Sequence, residues 1–293
     1  MKLKPTIAAL AVCIATASAW AAPATFSTFE SAGASPNQIT GTRDAFRTAV
    51  GGGTVAGANG SFGGQRFEIN WDGVPNGRAD PVALPGNFFN VNSPRGAVFN
   101  TPGSGFLVSA NAGLSTPTLF GFGNDFQTFS AQRLFTAVNS NITDVTFFVP
   151  GTNTAATTNA FGVVFVDVET AGQTKMEFFD AAGTLIYGHD ALVAGNQGLS
   201  FLGAISSDGG RISRVRLTSG LNTIVANGML GNPTDDVVVM DDFLYSAPIT
   251  AVPEPSSLAL LGAGLAVIGG ARRRSLRMAQ AEGVNCLAGS AVA

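Results

Sequence analysis

The chain has 293 residues, of which 45% are hydrophobic and only 12% are charged, and its formal net charge is −3. This length is sufficient for one sizeable core, and the composition is unlike that of disordered chains, which are highly charged and poorly hydrophobic. Residues 22–251 carry ten Lys or Arg residues against seventeen Asp or Glu residues. Nucleic-acid binding needs clustered cations, so no nucleic-acid partner is predicted.

The first 21 residues have the layout of a secretory signal peptide. Lys2 and Lys4 precede an apolar stretch over residues 7–20, and small residues follow it. The sequence Ala19-Trp20-Ala21 fits the small-x-small cleavage rule, with cleavage after Ala21 expected and cleavage after Ala19 as the alternative. We therefore expect an exported protein whose mature ectodomain contains no cysteine, since Cys13 lies in the signal peptide and Cys286 lies beyond the arginines at residues 272–274.

Residues 22–250 are predicted to form one all-β domain. Short runs of β-branched and aromatic residues alternate there with turn-forming residues, which is typical of strands. The clearest predicted strands are residues 66–71, 105–110, 142–149, 161–169, 174–180, 199–206, 211–219 and 237–246. Val215 and Leu217 alternate with Arg214 and Arg216, which gives that strand one apolar face. Such strands predict an antiparallel, jelly-roll-like β-sandwich.

The connections between these strands follow from turn and breaker residues. Residues 180–183 predict a tight hairpin in which Gly183 takes a positive φ. Residues 42–50 are the one helical candidate, and residues 51–64 and 72–102 predict long loops because they are dense in Gly, Pro and Asn.

Catalytic signatures are sparse in this sequence. His189 is the single histidine, in a predicted turn, and no Gly-x-Ser-x-Gly elbow accompanies it. We therefore expect a surface histidine and no enzymatic activity. For a glycosidase, which needs two carboxylates across a cleft, Glu68 and Asp72 would be the best pair because they flank an aromatic residue.

Trp71 is the one tryptophan of the predicted mature chain, since Trp20 lies in the signal peptide. Tryptophan rings stack on sugars while their polar edge stays wet. A sugar-stacking platform and a core or loop anchor are both open interpretations of Trp71.

Acidic residues at the two ends of the domain suggest a metal. Hard carboxylate ligands suit Ca²⁺, and a pairing of the first and last strands would bring Glu30 to Asp241 and Asp242. The Phe-Glu pair ending at Glu30 and the Asp-Asp-Phe sequence ending at Phe243 resemble the galactose-binding-type carbohydrate-binding jelly rolls, in which such a shared calcium is common. The alternative is solvated turn carboxylates. No other cofactor is predicted.

The segment after the domain combines three features. An extended hinge, in which the prolines stop any helix, consists of Val252, Pro253, Glu254 and Pro255. Residues 256–271 are uncharged and would span roughly 24 Å as a helix, against a bilayer core of about 30 Å. A basic stop, which stays on the cytoplasmic side, consists of Arg272, Arg273 and Arg274. A single short hydrophobic helix at residues 256–271, within the sorting and anchor segment 251–274, is therefore predicted to anchor the chain, with residues 275–293 as a cytoplasmic or extension tail.

The order of hinge, apolar run and arginines resembles the PEP-CTERM sorting signal, which the exosortase system of Gram-negative bacteria that make exopolysaccharide recognises. The resemblance implies transient anchoring in the inner membrane, processing by an exosortase near Pro253-Glu254-Pro255, and delivery to the cell surface or extracellular matrix. The family usually stops within a few residues of its basic cluster, whereas this chain continues to residue 293. An ordinary single-pass tail anchor is the alternative interpretation.

These observations predict an exported surface or matrix protein with a non-catalytic structural or adhesive role associated with exopolysaccharide. A carbohydrate-binding module and a polysaccharide hydrolase are the two alternatives.

Overall fold

The computed structural model describes residues 24–250, apart from positions 208, 210, 226, 227 and 229, together with residues 262 and 264–266. Two antiparallel sheets pack face to face, which confirms the predicted all-β sandwich. The predicted signal peptide, the sorting segment and the tail lie outside the described residues, except that residues 262 and 264–266 are helical. Among the described residues, no helix has the length and hydropathy needed to cross a bilayer.

The strands of the described chain divide into a large sheet, a small sheet and a separate pair. The eight strands of the large sheet are β1 (Phe26–Gly33), β2 (Ser61–Phe62), β3 (Arg66–Ile69), β5 (Gly105–Val108), β6 (Phe135–Val138), β9 (Ala160–Val166), β12 (Leu199–Ser206) and β14 (Val239–Ser246). The five strands of the small sheet are β4 (Ala97–Asn100), β7 (Ile142–Phe147), β10 (Lys175–Phe179), β11 (Leu185–Asp190) and β13 (Arg214–Thr218). The separate pair is β8 (Ala156–Thr157) with β15 (Ile249–Thr250). The helices are α1 (Pro36–Val50), α2 (Phe88–Val91) and the 3-10 turns Ala58–Gly60, Asn76–Arg78 and Leu119–Gly121.

The strand order leaves β1 and β11 at the ends of their sheets. The large sheet runs β1-β12-β9-β14-β3-β2, with β6 pairing β14 and β5 pairing β6. The small sheet runs β11-β10-β13-β7-β4. Along the chain, β1 is the first strand of the large sheet and β14 is the last. Within the sheet, these two strands are separated by β12 and β9.

The two sheets differ in how their faces are covered. Strands β7, β10 and β13 alternate between buried and half-buried residues, because only their inner face meets the core. Every residue of β9 and β14 is buried, since the large sheet is covered on both faces. The prediction of one apolar face per strand thus holds for the small sheet and fails for the centre of the large one.

Helix α1 covers the outer face of the large sheet. It begins with Pro36 after Ser35, whose backbone N–H donates to Gln38 Oε1, so a polar side chain satisfies the helix start. Ile39 and Phe46 are fully buried against this sheet face. The predicted helix at residues 42–50 is confirmed but begins six residues earlier.

The remaining secondary-structure predictions have mixed outcomes. Each of the eight clearest predicted strands contains a strand, and Asp180 and Gly183, with φ 81°, form the predicted hairpin between β10 and β11. Residues 72–102 contain α2 and β4 as well as loops. His189 lies in β11 and not in a turn.

Candidate functional site

The end strands β1 and β11 approach each other through side chains at one edge of the sandwich. In each strand, residues two apart share a face, so Thr28 and Glu30 of β1 face Tyr187 and His189 of β11. The hydroxyls of Thr28 and Tyr187 lie 2.9 Å apart, and Glu30 Oε2 lies 2.8 Å from His189 Nε2. These two contacts hold the end strands together without a backbone ladder.

An open groove of about 750 Å³ lies beside this junction. Its charged and titratable lining consists of Glu30, Lys175, Glu177, His189 and Asp190. Its apolar and small lining consists of Ala171, Gly172, Gly188, Ala191, Leu192 and Val193. We call this surface the edge groove. Three carboxylates against one lysine make it acidic, and the Lys175 ammonium lies 3.9 Å from Glu177 Oε1.

The β10–β11 hairpin sets which side chains enter the edge groove. Its register pairs Lys175 with Asp190 and Met176 with His189. His189 therefore shares the inner face with the buried Met176 and turns towards β1, whereas Lys175 and Asp190 take the outer face. The sequence predicted this hairpin, but the register shifts by one residue between Phe178 and Phe179. Counting back from the turn would therefore have placed Lys175 opposite His189 and not opposite Asp190.

The Tyr187 side chain packs against the core next to the junction of β1 and β11. Its ring lies 4.9 Å from the rings of both Phe26 and Phe178, between the two sheets. Burial raises the pKa of Tyr187, the hydrogen bond with Thr28 opposes this, and the charge of Glu30 raises it further. The phenol therefore stays protonated at neutral pH and keeps its hydrogen bond.

The predicted calcium site is wrong in its geometry. Glu30 lies on β1, opposite Leu202, whereas Asp241 and Asp242 lie on β14, with two strands in between. Neighbouring strands are about 4.8 Å apart, so β1 and β14 are separated by roughly 14 Å. These residues cannot share one ion.

Asp241 and Asp242 instead anchor a loop inside the protein. Asp241 Oδ2 accepts hydrogen bonds from the backbone N–H groups of Phe129, at 2.6 Å, and Ser130, at 3.2 Å. The Ser130 hydroxyl lies 2.7 Å from Asp242 Oδ1, and Arg43 approaches Asp242 at 3.6 Å. Burial and the charge of Asp242 raise the pKa of Asp241 well above its ordinary value. This pair therefore has a structural role.

Trp71 is a core residue, so the sugar-stacking interpretation is wrong and the core-anchor alternative holds. Its side chain is 1% exposed, and its ring stacks on Phe135 with the centroids 4.0 Å apart. Its indole N–H donates to the backbone carbonyl of Asp241 at 2.7 Å. Neither ring face is accessible to a sugar.

Glu68 and Asp72, the carboxylates considered for glycosidase chemistry, are both engaged in structural contacts. Glu68 is paired with Arg47 and with Arg66, whose Nε lies 2.7 Å from Glu68 Oε1. Asp72 accepts hydrogen bonds from backbone N–H groups of the loop at residues 132–133. Arg66, which is 1% exposed, also donates to the carbonyls that end α1, so this network fastens the helix to β3.

The fold and the edge groove define a class: an all-β sandwich with an open polar groove at the edge where its two end strands meet. The segment that follows β15 identifies the protein further. Residues 251–274 match the family model described as the PEP-CTERM protein-sorting motif. Comparison with curated proteins and with solved structures gave no match. The chain is therefore a protein that carries the sorting motif recognised by exosortase: it is exported, held at the membrane before processing and sorted to the cell surface.

Proposed function

We propose that the β-sandwich is a non-catalytic component of the cell surface or extracellular matrix and that it associates with exopolysaccharide through the edge groove. The observation that carries the proposal is the groove itself, an open polar surface beside the junction of β1 and β11. Its volume of about 750 Å³ lies within the range of ligand-binding clefts, roughly 300–1,000 Å³.

The lining of the edge groove suits a polyhydroxylated ligand. Glu30, Glu177 and Asp190 offer carboxylate acceptors, and the Lys175 ammonium offers donors. The His189 side chain is 40% exposed, so it presents a planar face and a wet edge to the groove. A shallow groove can hold a long polymer through many weak hydrogen bonds at separate positions.

The charge of the edge groove favours a neutral polysaccharide. Three carboxylates line this one groove, and charges closer than the Debye length of about 8–10 Å are only partly screened at physiological ionic strength. A uronate or sulfated polymer would meet like charge at this surface. We therefore assign the groove to neutral glycans.

The structural contacts of Glu68 and Asp72, the carboxylates considered for hydrolysis, support a non-catalytic role. Glu68 is neutralised by two arginines, and Asp72 is held by backbone N–H groups. A general acid needs a raised pKa and access to the glycosidic oxygen. Burial raises the pKa of Asp72, against the hydrogen bonds from the backbone of Gln132 and Arg133. The contacts of Glu68 and Asp72 nevertheless tie both carboxylates to the scaffold.

Retention of the full chain, solubilised in detergent, on immobilised dextran and on immobilised alginate tests the proposal. We expect binding to the neutral dextran and little binding to the anionic alginate. Lys175→Ala and His189→Ala should each lower the affinity at least about fivefold, since lost hydrogen bonds are worth about 1 kcal/mol each. Arg78→Ala, which removes an exposed cation outside the groove, is the matched control and should bind normally.

Three results would count against the proposal. Equal retention of the two groove variants and the wild type would mean that the polymer binds elsewhere. Preference for alginate would contradict the electrostatic argument. Release of reducing ends during incubation would make the protein a hydrolase.

A further inference from the structure

We propose that Asp167, Glu169 and Asp236 bind one Ca²⁺ ion where β9 ends and the chain enters β14. Val166 of β9 pairs with Val239 of β14. Three residues beyond this pair on each segment, the backbone N–H of Glu169 donates to Asp236 Oδ2. One carboxylate oxygen from each of the three residues lies within 4.8 Å of the others. This cluster is separate from Asp241 and Asp242, whose oxygens bind the loop at residues 129–130.

A buried oxygen without a partner points to a missing cation. Asp236 is 9% exposed, and its Oδ2 accepts hydrogen bonds from the backbone N–H groups of Glu169, at 3.2 Å, and Thr170, at 2.9 Å. Its Oδ1 is buried and has no hydrogen-bond partner. A buried carboxylate oxygen is normally satisfied by a donor or a metal, because desolvation without compensation is unfavourable.

In the part of the chain that the structure describes, ion pairs do not compensate the charge of this cluster. Within the described residues, no ion pair reaches Asp167, Glu169 or Asp236. Three crowded carboxylates at this position are stabilised most by a divalent cation.

The donor set and its spacing fit calcium. Ca²⁺ takes six to eight oxygen ligands at about 2.3–2.6 Å, so two oxygens on opposite sides of one ion are about 4.8 Å apart. Mg²⁺ demands near-ideal octahedral geometry, keeps several waters and is usually bound by only one or two carboxylates, so a site of three carboxylates suits it less. Asp167 is 3% exposed whereas Glu169 is exposed, so the site is closed on one side and open to water ligands on the other.

The ion would fasten three loops of the chain. Asp167 Oδ1 accepts a hydrogen bond from the backbone N–H of Gln197 at 2.7 Å. The Asp236 carbonyl accepts hydrogen bonds from the backbone N–H groups of Leu221 and Asn222, at 3.0 and 2.8 Å. Ca²⁺ at the cluster would therefore connect the segments around residues 167–170, 197 and 221–236, for which the described chain provides no disulfide.

Thermal unfolding of the full chain in detergent, in EDTA and then with 1 mM Ca²⁺ or Mg²⁺, tests the site. We expect Ca²⁺ to raise the Tm by about 5–10 °C and Mg²⁺ to raise it much less. Isothermal titration should give one Ca²⁺ per chain. Glu169→Gln, at an exposed position that leaves the fold intact, should weaken Ca²⁺ binding at least about tenfold.

Asp235→Asn is the matched control because Asp235 is exposed and adjacent to Asp236 but is not in the cluster. It should keep the full Ca²⁺-dependent shift, as should Asp242→Asn, which alters the buried pair on β14. Equal Tm values in EDTA and Ca²⁺ would overturn the proposal. So would a Ca²⁺ shift that Glu169→Gln leaves unchanged.

Discussion

Asp144 shows how one carboxylate organises the outer face of the small sheet. It accepts hydrogen bonds from Arg214 at 2.9 Å and from Arg216 at 2.9 and 2.8 Å. Burial by itself raises the pKa of Asp144, but the hydrogen bonds and charges of the two arginines outweigh it and lower the pKa below its ordinary value. The ion-pair contribution to stability is therefore present above the unfolded-state pKa near 4 and is lost as the pH falls through the lower folded-state value.

We expect Asp144→Asn to lower the free energy of unfolding by about 1–3 kcal/mol at pH 7, because two charge-assisted contacts are lost. The difference from the wild type should shrink as the pH falls below about 4. Urea unfolding followed by circular dichroism at pH 7 and pH 3 measures both values. Asp44→Asn, at a side chain that is 52% exposed, is the control and should change stability by less than about 1 kcal/mol. An Asp144→Asn effect that is equal at both pH values would contradict this account.

The contacts of individual residues were the hardest feature to predict from the sequence. Trp71 follows a strand in an apparently polar stretch, and nothing nearby in sequence indicates that Phe135 would stack on it. Glu30 was expected beside Asp242 because both lie near domain ends, yet strands β12 and β9 intervene. Contacts between residues more than sixty positions apart depend on strand order, which local patterns do not determine.

Helix α1 packs closely on the large sheet because two neighbouring strands carry glycine beneath it. Gly203 of β12 pairs with Gly162 of β9, and both lie under the ring of Phe46. A Cβ atom at Gly203 would lie 2.8 Å from Phe46 Cδ2, which is shorter than real Cβ contacts. The absence of side chains at Gly162 and Gly203 thus leaves room for the Phe46 ring.

We expect Gly203→Ala to lower the free energy of unfolding by about 1–3 kcal/mol, since the buried helix must shift to admit the methyl group. Gly41→Ala is the matched control in the exposed middle of α1, where nothing lies within 4 Å of the new Cβ. It should be stabilising by about 0.5–1 kcal/mol, because alanine is the better helix former. Guanidinium unfolding of both variants compares the two directly, and destabilisation by both would show that close packing is not the cause.

Elements with a regular pattern were predicted well. Strands β7 and β13 alternate visibly, and the hairpin before β11 ends on a glycine with positive φ. Helix α1 was placed too short because its start depends on Ser35 and Gln38, a capping pair that lies before the apolar positions. Strand β4 was missed in a Gly- and Pro-rich stretch, since its pairing with β7 is a tertiary contact.

At the scale of the whole molecule, the sorting motif is the feature with a defined cellular consequence. Changing Pro253-Glu254-Pro255 to Ala-Gln-Ala removes the prolines and the carboxylate of the predicted recognition element. We expect the unprocessed chain to accumulate in the membrane fraction and the mature form to disappear from the cell surface. Cell fractionation with mass measurement of the mature C-terminus tests this, and Pro233→Ala, at an exposed proline of the sandwich, should be processed normally. Normal surface delivery of the triple variant would show that the motif is not used.

The position of β15 has a consequence for where the sandwich can act. This strand ends at Thr250, and the apolar run of the sorting segment begins at residue 256. Five intervening residues can extend over at most about 18 Å. Until the chain is cut, the β8–β15 pair is therefore held within about 18 Å of the apolar segment. Cleavage is then the step that frees the sandwich from the immediate vicinity of the bilayer.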